Sequence, residues 1–210
     1  MRKNSLILAA SCGLTLLFAR CNTGGLSNFA FLPLEFPFSS AGDIVRIAAY
    51  GIPNWSGSEP HNGIDLVVDE HLTSVRITSP TAGKVTAIST QENPYSEPSG
   101  QLLVTIAIRI NNEWIVYLVL EPGTVDPTLK TAQLAAILVS EGQDVEVGTP
   151  VADLMIGTLG YPHLHYMVEH NGEAVCAYAH SSDAAKATFV SLSDLPGSNL
   201  PDGNICYGQP

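Results

Sequence analysis

Basic residues are scarce in this sequence. Lys and Arg together number 9 against 20 Asp and Glu, which gives a formal net charge of −11. Such a chain repels phosphate backbones and anionic lipid headgroups at long range, so we expect no nucleic-acid partner. Low-complexity sequence is also lacking, and hydrophobic residues make up 45% of the 210 residues, ample for a packed core. Length alone predicts one or two domains, and we expect a monomer.

Long apolar runs are missing from all but the N-terminal segment. Residues 1–21 are typical of an export signal, with Arg2 and Lys3 before an apolar stretch at 6–18 that is too short for an ordinary membrane span. Cys21 resembles the acceptor cysteine of a bacterial lipoprotein, although Arg20 stands where a small residue is usual. Lipidation at Cys21 and plain cleavage nearby both remain open. Either way we expect an exported protein of the periplasm or cell envelope, with a lipid anchor as its one route to a membrane.

Cysteines are few, and two of the four lie in or at the end of the signal. The remaining pair, Cys176 and Cys206, predicts a disulfide, because an even pair in an exported chain is normally oxidised.

The rest of the chain is divided by its turn residues. Residues 22–45 read as a tether and an extended segment, whose apolar part at 29–38 we expect to lie against the domain. Short apolar runs over 46–185 predict an antiparallel β domain, with a hairpin formed by 102–110 and 113–120. One helix is predicted over 127–138 behind an Asp126 cap, and two short strands around tight turns over 139–152. Residues 186–210 are predicted to be a tail pinned by the disulfide.

Two histidines share one face of a predicted strand at 161–169. His163 and His165 are two residues apart, so their side chains point the same way. By itself the pair is more typical of polar residues on a solvated strand face than of a metal site. Far upstream, His61 and Asp65 flank a glycine at which the chain can bend, so that both side chains converge. Two imidazoles and a carboxylate make a ligand set for catalytic zinc, and also for ferrous iron.

Together with the tract between them, these motifs resemble those of the lysostaphin-type zinc metallopeptidases. The corners at 79–85 and 142–151 are similar to paired segments of that family's β core. Carrier domains for biotin or lipoate and sugar-phosphotransferase domains share these half-motifs, but a carrier lysine is missing here and the export signal argues against a cytoplasmic protein. The resemblance covers residues 46–180. It implies a mainly β, antiparallel, barrel-like duplicated hybrid motif with one short helix.

The resemblance also implies a chemistry. His61, Asp65 and His165 match zinc ligands, and His163 matches a catalytic histidine beside the metal. The implied cofactor is Zn²⁺, and the implied substrate is a peptidoglycan stem or cross-bridge peptide that zinc-activated water hydrolyses.

One position departs from the family pattern. Where the family carries a second catalytic histidine in Tyr-x-His-Leu, this chain has Tyr117 and then Val119, both expected to face the groove opposite His163. His71 and His180 are candidates to replace the missing group, although each is typical of an ordinary surface histidine. Two function classes therefore stay open: a zinc endopeptidase of the cell wall, and a non-catalytic relative that binds peptidoglycan or regulates another hydrolase.

Residues 91–100 are either a loop beside the site or a simple turn.

Overall fold

Most of the chain forms antiparallel β-strands, which confirms the predicted fold class. The computed structural model describes residues 29–53 and 59–208, so the predicted signal, Cys21 and residues 22–28 of the tether lie outside the description. Within the described residues no helix is long and apolar enough to cross a bilayer. The strands and helices, in chain order, are β1 Ile44–Ala48, β2 Ile64–Val68, β3 Ser74–Thr78, β4 Gly83–Glu92, β5 Leu102–Arg109, β6 Trp114–Glu121, α1 Pro127–Ala135, β7 Asp144–Val145, β8 Pro150–Met155, β9 His163–His170, β10 Glu173–Val175 and α2 Asp183–Ser193.

The main sheet has the strand order β1-β2-β9-β6-β5-β4-β7, with β10 added alongside β9, while β3 and β8 form a separate pair. The predicted hairpin is β5–β6. Alternation along the strands separates two faces, because successive side chains point to opposite sides. In the central strands the even-numbered positions are buried in the core: Ile64, Leu66, Val68, Val104, Ile106, Ile108, Val116, Leu118, Leu120, Leu164, Tyr166 and Val168.

The opposite face carries two adjacent rows of side chains that cross the sheet. Directly paired residues of antiparallel strands share a face, so the register fixes which side chains become neighbours. One row is Ala48, Asp65, His165, Val119 and Thr105; the next is Arg46, Val67, His163 and Glu121. The sequence motifs of β2 and β9 thus meet because these strands are paired.

The helix α1 is shorter than predicted. Asp126 caps it as expected, its side chain accepting a hydrogen bond from the Thr128 backbone N–H, but the helix ends at Ala135 rather than at 138. The reason is a competing strand contact: Ile137 pairs with Ala152, and the Leu138 N–H donates to the Val151 carbonyl. Backbone pairing with β8 therefore overrides helical periodicity in the last turn. The two short strands predicted over 139–152 are present as β7 and the start of β8.

A second helix, α2, was missed by the sequence analysis, which predicted one helix and a tail from 186. Ser182 caps α2 by accepting from the Ala185 N–H, and Phe189 is fully buried in the core. The helix runs through the predicted boundary at 185, so the domain continues beyond it. The predicted disulfide between Cys176 and Cys206 is present, with 5.6 Å between the Cα atoms, and joins the end of the chain to the domain.

The apolar segment at 29–38 lies extended against the domain, as predicted. Leu34 is fully buried, and its backbone N–H donates to the His180 carbonyl. Phe31 stacks on Trp114 with ring centroids 4.2 Å apart. This segment therefore belongs to the folded unit rather than to the tether.

Candidate metal centre

His61 lies on the connection between β1 and β2, where hydrogen bonds hold both its backbone and its ring. The Gly51 N–H donates to the His61 carbonyl, and the His61 N–H donates to the Ile52 carbonyl. The ring Nδ1 lies 2.6 Å from the Ala49 carbonyl oxygen. Because a carbonyl only accepts, Nδ1 must carry the hydrogen, which leaves the lone pair on Nε2. His61 is 3% exposed, and Nε2 is the atom that it turns toward Asp65.

His165, on β9, is oriented from the other side. Its Nε2 lies 3.1 Å from the Asn62 side-chain oxygen, so Nε2 is the donor and the lone pair is on Nδ1. A second polar group that fixes the tautomer of a ligating histidine is a common feature of metal sites. Asn62 was not among the site residues predicted from the sequence, although it lies inside the His61–Asp65 motif.

Three ligand atoms converge on one point. His61 Nε2 lies 3.1 Å from Asp65 Oδ1 and 3.2 Å from His165 Nδ1, and His165 Nδ1 lies 2.8 Å from Asp65 Oδ1. Ligands at zinc bond lengths in a tetrahedral arrangement lie about 3.3 Å apart. The described His61, Asp65 and His165 therefore fit a zinc ion in number, chemistry and spacing. Ferrous iron accepts the same ligand types.

Asp65 is a carboxylate kept ionised inside the protein. Burial alone raises its pKa, but the positive potential of His163, together with the adjacent imidazoles of His165 and His61, outweighs burial and holds the pKa well below its usual value. With 6% of its surface exposed, the anion gives the site a buried negative charge suited to a cation.

Gly63 is needed for a reason other than the expected bend. A Cβ at this position would lie 2.6 Å from both Cε1 and Nε2 of His165 and 2.9 Å from the Tyr166 carbonyl oxygen. The glycine therefore lets the β2 entry pass directly beneath the imidazole of His165, and any side chain there would displace that ring.

His163 lies beside the three ligands without joining them. Its Nδ1 donates to the Tyr161 carbonyl at 2.7 Å, and its Nε2 lies 3.7 Å from Asp65 Oδ1 and 3.4 Å from Glu121 Oε1. Burial opposes protonation of the ring, but the charge of Asp65 and the hydrogen bond and charge of Glu121 outweigh burial and raise the pKa of His163 to about 9.

Glu121 is the residue that sequence reasoning missed. No role was predicted for it, yet it ends β6 on the same face as Val119 and pairs with His163. Its Oε2 accepts a hydrogen bond from the Asn93 amide, which fixes the carboxylate. The signal was available in the sequence, because Glu121 continues the alternation of Tyr117 and Val119.

The register also corrects the expectation for Val119. This residue pairs with His165, and the place opposite His163 belongs to Glu121. Val119 lines the cleft at 8% exposure, whereas Tyr117 lies further along β6 and donates its hydroxyl to Glu169.

The site lies at the bottom of an open cleft of about 540 Å³. One wall is the segment that follows β4, so the open question about residues 91–100 is answered: Asn93, Tyr95, Ser96 and Glu97 line the cleft. Neither candidate for a replacement histidine is among the lining residues. His71 is exposed, and His180 packs against Trp114 at a centroid distance of 4.9 Å.

Comparison with known proteins gives similarity in fold. No protein-family model matches the sequence, and no curated protein matches it. Among solved structures it is similar to Csd3 of Helicobacter pylori, with 21% sequence identity and a TM-score of 0.47 over 77% of this chain and 39% of Csd3. A zinc-containing peptidase from Vibrio cholerae is similar at 22% sequence identity and a TM-score of 0.46, over 72% of this chain and 40% of that protein. Lysostaphin is similar at 15% sequence identity and a TM-score of 0.36, over 89% of this chain and 61% of lysostaphin. The chain thus spans 39% to 61% of the length of these proteins.

Proposed function

We propose that this protein is a zinc-dependent metallopeptidase that acts on peptidoglycan peptides in the cell envelope. The observation that carries the proposal is the convergence of His61 Nε2, Asp65 Oδ1 and His165 Nδ1 at the bottom of an open cleft. Three protein ligands in a site that opens to solvent are typical of catalytic rather than structural zinc. A zinc ion held there would polarise a peptide carbonyl and lower the pKa of a water molecule.

The chain's own residues supply the remaining functions. His163 is fixed by its bond to the Tyr161 carbonyl, so its Nε2 is presented to the cleft beside Asp65. From there it holds or transfers a proton at a reacting substrate atom. Glu121, itself held by Asn93, keeps that ring in position from the far side. Both side chains of the His163–Glu121 pair are 18% exposed, so a substrate reaches them without unfolding of the cleft.

Peptidoglycan as the substrate is supported by the resemblance of the sequence motifs to the lysostaphin type. Envelope location is supported by the predicted export signal, and the disulfide between Cys176 and Cys206 is compatible with it.

Zinc content and turnover test the proposal together. Purified protein should hold one zinc per chain and release peptides from isolated peptidoglycan. Asp65→Ala should lose most of the metal, because it removes the one anionic ligand. His163→Ala should keep the metal and lose about 10²–10³-fold in rate, the typical worth of one acid–base group.

His71→Ala is the matched control, since His71 is exposed and away from the cleft. Equal zinc in the Asp65 and His163 variants would contradict the ligand assignment. If the zinc-loaded protein binds peptidoglycan and never cleaves it, the enzyme hypothesis is wrong and the protein is a binding module.

A further inference from the structure

A second cavity, of about 330 Å³, opens on the far side of His163 from Glu121. It shares Asp65, His163 and Tyr161 with the main cleft, so a ligand lying in it contacts the same reacting groups. Among the described residues that line the two cavities, Arg46 is the single Lys or Arg. In a chain of net charge −11, a cation at this place is an unusual feature to find beside the candidate centre.

Arg46 is held in place by an aromatic ring rather than by an acid. Its guanidinium carbon lies 3.4 Å from the centroid of the Tyr161 ring, a cation–π contact. No carboxylate of the described residues lies within ion-pair distance of it. The stacking orients the planar group while its N–H donors remain open to a ligand. Asn199 lines the same cavity and carries an amide that can donate hydrogen bonds.

The sheet register gives the distance from Arg46 to the reacting groups. Arg46 pairs with Val67, and Val67 pairs with His163, so Arg46 lies two strands from His163 along one row. Two strand spacings are about 10 Å, the length of about three residues of extended peptide. Glu121 ends the same row on the other side of His163. The row is therefore positive at one end and negative at the other.

We propose that Arg46, with Asn199, binds a carboxylate of the peptide substrate one to three residues from the bond that is cleaved. This rests on the proposed function, because it assigns a substrate class to that same site. Guanidinium groups bind carboxylates through two parallel charge-assisted hydrogen bonds, and Tyr161 fixes the plane in which those bonds form. The carboxylate is either the free C-terminus of the peptide or an acidic side chain within it.

Three fluorescent peptides distinguish these sources: tetra-alanine with a free C-terminal carboxylate, its C-terminal amide, and the amide with Glu as the last residue. Binding to the zinc-loaded full chain is read by fluorescence anisotropy within seconds of mixing. The wild type should bind at least one carboxylate peptide about tenfold or more tightly than the neutral amide. Whichever carboxylate peptide is preferred identifies the source.

Variants assign the preference to the residue. Arg46→Gln should abolish it, and Arg46→Lys, which keeps the charge but loses the planar group, should retain part of it. Arg76→Gln is the control, because Arg76 is an exposed arginine paired with Asp153 on another sheet. Equal binding of all three peptides by the wild type, or a preference that survives Arg46→Gln, would overturn the proposal. If Arg46→Gln leaves the preference intact and removal of zinc abolishes it, the carboxylate is a metal ligand, and the proposal is overturned as well.

Turnover of isolated peptidoglycan separates this proposal from the proposed function. A carboxylate preference in peptide binding without any release of peptides from peptidoglycan would leave the Arg46 subsite standing and refute the peptidase. Release of peptides from peptidoglycan by a protein that binds all three fluorescent peptides equally would refute the Arg46 subsite and leave the peptidase standing.

Discussion

The contact between Glu121 and His163 predicts a measurable change when its charge is removed. Glu121→Gln keeps the shape of the side chain and its bond to Asn93 but leaves His163 with Asp65 as its one acidic neighbour among the described residues. At the observed 3.4 Å between Nε2 and Oε1, two unit charges interact by about 5 kcal/mol at an effective dielectric constant of 20. Water in the cleft screens this interaction, so we expect the substitution to remove about 2 kcal/mol of it. That loss corresponds to a fall of about 1.5 units in the pKa of His163. The pKa of His163, raised to about 9 in the wild type, should fall by that amount.

The assay is an NMR titration of the imidazole Cε1–H in metal-free protein. Glu169→Gln is the matched control, because Glu169 is on the same strand but six residues away, about 20 Å, and bonds to Tyr117. A fall of less than half a unit in the Glu121 variant, or an equal fall in both variants, would refute the pairing of Glu121 with His163.

The same pair gives the metal-free protein a pH-dependent stability. The pKa of His163 in the folded protein lies above its ordinary value of 6.5, so protonation favours the fold. The stabilisation is fully present below about pH 6.5 and is lost as the pH rises through about 9. In Glu121→Gln the decline in melting temperature over this range should be shallower.

Three further changes test the site and the fold. Gly63→Ala should lower zinc affinity by about tenfold or more, because its Cβ would displace the His165 ring. Gly42→Ala, whose Cβ would make an ordinary contact with Ser40 Oγ at 3.5 Å, should leave affinity unchanged in a competition titration. Val119→His should raise peptide cleavage by one to two orders of magnitude, and a fall would show that another residue already supplies the missing group. Cys176→Ser, which opens a loop of 30 residues, should lower the free energy of unfolding in urea by about 3–4 kcal/mol, and no change would contradict the entropic account.

The candidate ligands could be predicted from the sequence because their spacing is local. His163 and His165 are neighbours on one strand face, and His61 and Asp65 lie in one short motif, so alternation and ligand chemistry identify this group of residues. The choice of His165 rather than His163 as the ligand came from the family resemblance. Glu121 could not be assigned in the same way. Which β6 residue faces His163 depends on the register between β6 and β9, which joins segments more than 40 residues apart in the chain and is set by the packing of both strands on the core.

The two helices show a different limit. The predicted end of α1 was wrong because the local apolar periodicity continues to 138, whereas the pairing of Ile137 with Ala152 takes the backbone out of the helical conformation after Ala135. The helix α2 did have a local signal, a Ser182 cap followed by buried Ala185 and Phe189 four residues apart. It was obscured by the turn-rich sequence that follows it.

The separation of the two sheet faces has an evolutionary consequence. Leu118 and Leu120 are completely buried in the core, whereas Val119 and Glu121, between and beside them, line the cleft. Single substitutions at the cleft positions therefore change the chemistry available at the candidate metal centre while the core side chains that specify the fold remain as they are. A lineage with this architecture can lose a catalytic group, acquire another one strand position away, or drift into a binding role, all without passing through an unfolded ancestor.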